Sequence, residues 1–167
     1  GPTGAGKSSV AQSLADHLPI EMVTADSRQI CKELFIGTAA PSAEEKQKHP
    51  HHLFNFWPVT QRYSAGKYLK DAKGAIHKIY ERERIPLVVG GTFFYIKALL
   101  EGLIEEPEIS IEEESYIYNL PRDELQRQLA QHDATSYHRL GINDLQRRRR
   151  ALLVSKAAGQ PFSSLQK

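Results

Sequence analysis

Cysteine is close to absent: Cys31 is the only one in 167 residues. A lone thiol excludes an internal disulfide and points to a reducing compartment, so a cytoplasmic location is expected. Long apolar runs are missing as well. No stretch approaches the roughly 20 residues that carry a helix across a bilayer, so no membrane association is expected. Charge of one sign is not in excess either: 22 Lys and Arg face 20 Asp and Glu, a formal net charge of +2. A balance this even gives no bulk attraction for a polyanion, and any nucleic-acid contact must rest on a local cluster. No internal repeat and no low-complexity tract occurs. With 40% hydrophobic content, the length supports one sizeable core and a small appendage.

What is present begins at the first residue. "GPTGAGKSS" fits G-x-x-x-x-G-K-[ST], with Gly1, Gly6, Lys7 and Ser8 on the fixed positions. A loop of this kind cradles phosphates with its N–H groups, and the helix it opens adds partial positive charge. Thr3, Gly4, Ala5, Gly6, Lys7 and Ser8 are the candidate phosphate-binding residues. Lys7 would reach the outer phosphates and Ser8 would offer its hydroxyl to Mg²⁺. Val10, Leu14 and Leu18 follow at helical spacing and predict the apolar stripe of that helix. The loop also needs a strand leading into it, so a strand ahead of Gly1 is expected to be missing from this sequence.

Further on, "IEMVTAD" reads as a short strand ending at Asp26. Ser42 and Glu45 form a capping-box pattern at the start of a short helix. The apolar stretch from Leu53 to Trp57 reads as a strand. Tyr68, Leu69, Ala72, Ile76 and Ile79 share one stripe of a long helix. "IPLVVGG" reads as a buried parallel strand closed by Gly90 and Gly91, and "TFFYIKALLEG" as a helix stopped at Gly102. This alternation predicts an α/β fold: a P-loop NTPase-like parallel sheet flanked by helices over residues 1–104. From 105 to 167 the pattern is all-helical. The acidic "EEPEISIEEES" reads as a poorly ordered link, and helices follow from Pro121, through "DATSYHRL", and over "NDLQRRRRALLVSKAAG" to Gly159.

Nucleotide hydrolases and kinases with this loop hold Mg²⁺ with a second acid at the end of a neighbouring apolar strand. Here "IPLVV" ends in Gly90-Gly91-Thr92 without one. Two glycines at the carboxyl end of a strand suggest an open crevice, with Asp26 from the neighbouring strand and the Thr92 hydroxyl on its rim. Those groups suit a second substrate attacking a group attached to a diphosphate.

At this point a resemblance emerges. "GPTGAGKS", "ADSRQI", "IGTAAPS", "PHHL", "YSAGKY", "IPLVVGGTFFYIKALLEG" and "NDLQRRRRALLV...GQPFS" occur in this order. Together they closely resemble the tRNA dimethylallyltransferases, the tRNA isopentenyltransferase family, over nearly the whole chain. The resemblance implies a prenyltransferase of tRNA modification. It moves a dimethylallyl group from dimethylallyl diphosphate to N6 of adenosine-37, next to the anticodon, and releases diphosphate. The partners implied are tRNA and the prenyl diphosphate, the cofactor Mg²⁺, and a monomer is expected.

On that resemblance Asp26 matches the acid of the D-S-x-Q block and acts as general base on the adenine amine. Thr92 matches the threonine that bonds the bridging oxygen of the diphosphate, which Lys7 and Ser8 also serve. Ser27, Arg28 and Gln29 complete the block and, with Asp26 and Thr92, touch the target nucleotide. Gln146, Arg147 and Arg150 match a Q-R-x-x-R segment lying against tRNA, and Arg148 and Arg149 extend it into a run of four. Each role has a plainer counterpart: Asp26 as the cap of a following turn, Thr92 as a helix N-cap, the arginines as a solvated basic face. Successive helical positions turn by about 100°, so the four arginines cannot all face one strand. His49, His51 and His52 lack the ligand spacing of a zinc site and read as structural.

Some positions depart from the pattern. Cys31 stands in place of a tyrosine and Ala40 in place of a lysine, which removes polar groups near the cleft. The family also continues well past Lys167, so a C-terminal region is expected to be missing here. The alternatives kept open are a P-loop small-molecule enzyme, either a kinase or an adenylate isopentenyltransferase, and a non-catalytic RNA-binding remnant. The basic "QRRRR" helix weighs against the first, since a free nucleotide has no need of it.

Overall fold

A computed structural model of the chain describes residues 4–34, 37–38, 41–103 and 107–166. The chain divides into two compact units, Gly1–Leu103 and Ile104–Lys167.

The first unit is organised by β1 (Ile20–Thr24), buried along its whole length. Period-two alternation sorts its neighbours onto two faces. Ile20 and Met22 pack with Ala11, Ala15, Leu87 and Val89, whereas Val23 and Ala25 pack with Ile30, Tyr68, Ala72, Ile79 and Val88. β2 (His51–His52) and β3 (Ile85–Val89) flank β1 in the order β2-β1-β3, both parallel to it. One face is covered by α1 (Lys7–Ala15) and the other by α3 (Ala65–Glu81), against which α4 (Phe93–Glu101) packs. α2 (Ala43–Lys48) begins at the expected capping box: the Ser42 hydroxyl accepts from the Glu45 amide at 3.1 Å, and the Glu45 carboxylate accepts from the Ser42 amide at 2.6 Å. The result is the α/β, P-loop-like sheet with helices on both faces.

Two local expectations fail. Val10, Leu14 and Leu18 are 60%, 42% and 46% exposed, and α1 instead turns Ala11 and Ala15 to the sheet. Small residues let that helix lie close to β1 and β3. The strand expected over Leu53 to Trp57 is not formed. Leu53 and Asn55 adopt left-handed backbone, φ 56° and 47°, which breaks an extended run, and the pairing falls on His51–His52 just before it. Leu53, Phe56 and Trp57 still pack on the core.

The second unit is helical: α5 (Ile111–Tyr118), α6 (Arg122–His132), α7 (Ala134–Arg139), α8 (Leu145–Ala158) and α9 (Phe162–Leu165). α8 contacts each of the other four. Its second half is therefore buried all round, from Ala151 to Ser155. Ile117, Leu120, Leu125, Leu129, Leu152 and Leu153 form the core. The acidic run is not merely a link. Ser110 caps α5 through a box with Glu113, and Glu112, Glu113 and Glu114 occupy its first turn, where the helix dipole favours negative charge. Residues 105 and 106 of that run lie outside the described residues. Among the described residues, no helix is long and apolar enough to cross a membrane.

Candidate active site

The carboxyl ends of β1 and β3 are fastened to each other by backbone. The Ala25 amide donates to the Val89 carbonyl at 2.8 Å, and the Thr92 amide donates to the Ala25 carbonyl at 3.0 Å. Gly90 is required for this approach, since a Cβ there would lie 2.0 Å from the Ala25 oxygen. This corrects the expectation of an open crevice at the two glycines: the space at Gly90 is filled by the Ala25 backbone. A Cβ on Gly91 would stand 3.5 Å from Asp26 Oδ2, an ordinary contact distance, so that oxygen lies beside the second glycine.

The fastening brings Asp26, Ser27 and Thr92 together. Asp26 Oδ1 accepts from the Arg28 amide at 2.9 Å, so the turn-capping role is realised with one oxygen while Oδ2 faces the glycine. Thr92 occupies the N-cap position of α4 but makes no capping bond with its side chain. Its hydroxyl oxygen instead accepts from the Ser27 amide at 2.9 Å and lies 3.2 Å from the Ser27 hydroxyl. Gln29, expected at the nucleotide, donates its amide to the Thr38 carbonyl at 2.8 Å. Arg28 is exposed. The Cys31 thiol donates to the Ser27 carbonyl at 3.6 Å and so braces this turn from below.

The phosphate loop takes its shape from Gly4 and Gly6, at φ 79° and 71°; Gly6 is the left-handed residue from which α1 starts. Only glycine adopts that backbone without strain. Lys7 and Ser8 open the helix, while Thr3 and Gly1 lie outside the described residues. Ser8 lines a cavity of about 270 Å³ with Gln12, Met22, Thr24, Glu45 and His51. There the Glu45 carboxyl is held below the usual range by the Ser42 amide and by Gln12, which donates to it at 2.6 Å, while burial holds His51 below the usual histidine range. Among the described residues, no group of three or more His, Cys, Asp or Glu could hold a metal. The Ser8 hydroxyl on the wall of that cavity is the kind of oxygen that would suit Mg²⁺, an ion that binds through few protein oxygens, retained water and substrate phosphates.

The three histidines are structural. His49 pairs with Asp16 at the end of α1 at 2.8 Å, His51 Nδ1 lies 2.7 Å from the His49 carbonyl, and His52 pairs with Glu21 at 2.6 Å. Glu21 was not singled out from sequence, although a carboxylate within the apolar strand "IEMVT" is a signal. It is buried, and Arg82 at the end of α3 bonds it at 3.1 and 2.6 Å, which holds its carboxyl below the usual range, with His52 adding to the effect. The pair ties β2 and α3 to β1.

In the second unit the arginine run separates by face. Gln146 and Arg147 are exposed, and Arg147 pairs with Asp144, the N-cap of α8. Arg148 is the correction: expected among the RNA-facing residues, it is 4% exposed. Its guanidinium donates to the carbonyls of Tyr137, Leu140 and Gly141 at 2.8, 2.6 and 3.1 Å and lies over the Tyr137 ring. It closes the end of α7. Arg149 is half-buried over the Tyr118 ring, and Arg150 is half-buried too.

A phosphate-loop α/β unit with Asp26, Ser27 and Thr92 at its joined strand ends, followed in the chain by a helical unit, defines a P-loop-like α/β fold class. The family model of the IPP transferases matches residues 29–167, and the chain belongs to that family. It is 43% identical over 169 residues to a tRNA dimethylallyltransferase of Bordetella parapertussis, covering 99% of this chain and 54% of the relative. To the tRNA dimethylallyltransferase of Neisseria meningitidis serogroup B it is 39% identical over 170 residues, covering 98% and 54%. The chain thus spans about half the length of the curated relatives it matches. Among solved structures it is similar to a eukaryotic dimethylallyltransferase acting on tRNA (TM-score 0.87, 27% identity, 98% of this chain and 42% of that one). It is also similar to the tRNA isopentenylpyrophosphate transferase of Bacillus halodurans (TM-score 0.62, 30% identity, 97% and 55%).

Proposed function

We propose that this chain serves the transfer of a dimethylallyl group from dimethylallyl diphosphate to N6 of adenosine-37 of tRNA. The observation that carries the reading is the meeting of Asp26, Ser27 and Thr92 at the joined ends of β1 and β3, in a member of a family whose relatives are tRNA dimethylallyltransferases.

An exocyclic adenine amine is a poor nucleophile. A carboxylate positioned within about 3 Å takes its proton as the new bond forms, and the Asp26 oxygen beside Gly91 is the group for it. The C–N bond forms at C1 of the dimethylallyl group while the C1–O bond breaks, and the electron pair leaves with diphosphate. Thr92 donates to the bridging oxygen, and Lys7 with the amides of Gly4, Ala5 and Gly6 holds the outer oxygens where charge develops. Ser8 would hold Mg²⁺, which when bound would supply further neutralisation of the leaving diphosphate. The base lies in an RNA loop and must be unstacked to reach Asp26. Gln146, Arg147 and Arg150 offer the backbone grip, a phosphate interaction that is dispensable for a free nucleotide. A cytoplasmic location agrees with the single thiol.

The test is to incubate the full-length protein with dimethylallyl diphosphate and either tRNA or AMP, then analyse the nucleosides. Prenylated adenosine from tRNA alone supports the reading. Prenylated AMP moves the protein to the small-molecule class, Mg²⁺-dependent phosphoryl transfer from ATP to the kinases, and tRNA binding without product to a non-catalytic RNA-binding protein.

A further inference from the structure

We propose that Ser27 is the positioning residue for the Thr92 hydroxyl, turning its proton toward the leaving diphosphate; this rests on the reading of Thr92 given above.

A threonine hydroxyl has one proton and two lone pairs. One lone pair of Thr92 is taken by the Ser27 amide at 2.9 Å, and the Ser27 hydroxyl lies 3.2 Å from the same oxygen. Without a diphosphate, Thr92 donates to Ser27 and its proton is parked. Hydroxyl protons rotate to suit their surroundings. An incoming diphosphate oxygen is acceptor only, so it draws the Thr92 proton, and the Ser27 hydroxyl reverses to donate to Thr92. Both lone pairs of Thr92 are then filled by one residue. The proton is all that remains for it to offer, and the two bonds it accepts polarise the O–H and strengthen it as a donor.

The backbone around the pair is built to hold it. The Thr92 amide is fixed on the Ala25 carbonyl at 3.0 Å, Gly90 admits that approach, and the Ser27 carbonyl accepts the Cys31 thiol. The Thr92 side chain is not drawn into capping α4. Ser27 is exposed, yet its hydroxyl is paired with Thr92. Removing that hydroxyl leaves the amide bond to Thr92 intact, so Ser27→Ala isolates the proposed role from the fold.

The experiment is steady-state kinetics of the full-length enzyme with tRNA and dimethylallyl diphosphate. Ser27→Ala should lower kcat roughly tenfold, the worth of one hydrogen bond made in the transition state. Both KM values should stay within about twofold. Ser27→Thr, which keeps the hydroxyl, should restore most of the rate. In a Thr92→Val background, Ser27→Ala should cost nothing further, because the oxygen it serves is gone. An unchanged kcat for Ser27→Ala, or equal losses with and without Thr92, overturns the proposal while leaving Thr92 in place. A raised tRNA KM at constant kcat overturns it too and makes Ser27 an RNA contact. A Thr92→Val enzyme with normal kcat removes the underlying reading of Thr92 and the role of Ser27 together.

Discussion

Asp26 in the first unit and Asp133 in the second are the same side chain put to opposite use. Asp133 is 1% exposed and has both oxygens engaged. One accepts from the Ser136 amide at 2.9 Å and the Ser163 hydroxyl at 2.6 Å, and the other from the Ser163 amide at 2.9 Å. Burial pushes its carboxyl up, and the bonds from Ser136 and Ser163 outweigh that, so it sits below the ordinary value. Asp26 is only half-buried. Among the described residues its carboxylate accepts one hydrogen bond, from the Arg28 amide, and keeps Oδ2 beside a glycine. A carboxylate with both oxygens engaged joins segments of chain; one with an oxygen left open has capacity for a proton. Occupancy of the lone pairs, more than residue type or capping position, separates the two roles.

The sharpest way to break this contrast is to remove each carboxylate and read both rate and stability. Asp26→Ala in the full-length enzyme should cut turnover by roughly 10²–10⁴, the range of a positioned base. The melting temperature should hardly move, because only one exposed turn bond goes with it. Near-normal turnover would end the assignment of Asp26 as base.

Asp133→Ala should do the reverse. It leaves the Ser136 and Ser163 amides without their acceptor in or near the core, a loss of about 2–4 kcal/mol. Catalysis by the fraction still folded should be unchanged. The pH dependence has a definite sign. A carboxyl depressed in the folded state stabilises above its unfolded pKa, and that stability is lost as pH falls through the folded value. The Asp133 contribution should therefore be complete above about pH 4 and fade below it. Asp133→Asn should flatten that part of the acid melting profile. A profile of unchanged shape would show that Asp133 carries no such linkage.

Much of this was legible in the sequence, because it is written in local signals. The Tyr68, Ala72 and Ile79 stripe, the Ser42 capping box and the left-handed stop at Gly159 all follow from periodicity or turn chemistry. What stayed hidden depends on distant neighbours. Gly90 looked like a gap because a glycine's empty Cβ position does not say what fills it, here the Ala25 carbonyl from a strand 65 positions away. The exposure of Val10 and Leu14 on α1, against a buried Ala11, is likewise set by how near the sheet lies. Leu53 has a strand-like neighbourhood, but its left-handed backbone is imposed by the turn that follows β2. The contrast between Asp26 and Asp133 is of the same kind, since Ser163 is 30 residues from Asp133.

The smallest expected effect tests whether neighbours in the arginine run divide in the same way. Arg148 donates to three carbonyls, and among the described residues Arg147 pairs with Asp144 at the surface. Arg148→Ala should cost about 1–3 kcal/mol, because the carbonyls that end α7 lose a charged donor. The salt dependence of tRNA binding should not change, since Arg148 holds no phosphate. Arg147 can exchange its surface partner for a phosphate at little loss, exposed pairs being worth at most about 1 kcal/mol. Replacing Arg147 and Arg150 together by alanine should leave the melting temperature nearly unchanged. It should raise the tRNA KM and reduce the salt slope by roughly one for each phosphate no longer neutralised. The affinity for dimethylallyl diphosphate should stay the same. Equal loss of tRNA affinity in the Arg148 variant, measured on folded protein, would mean that the run acts as a diffuse patch of charge and that burial does not sort its members.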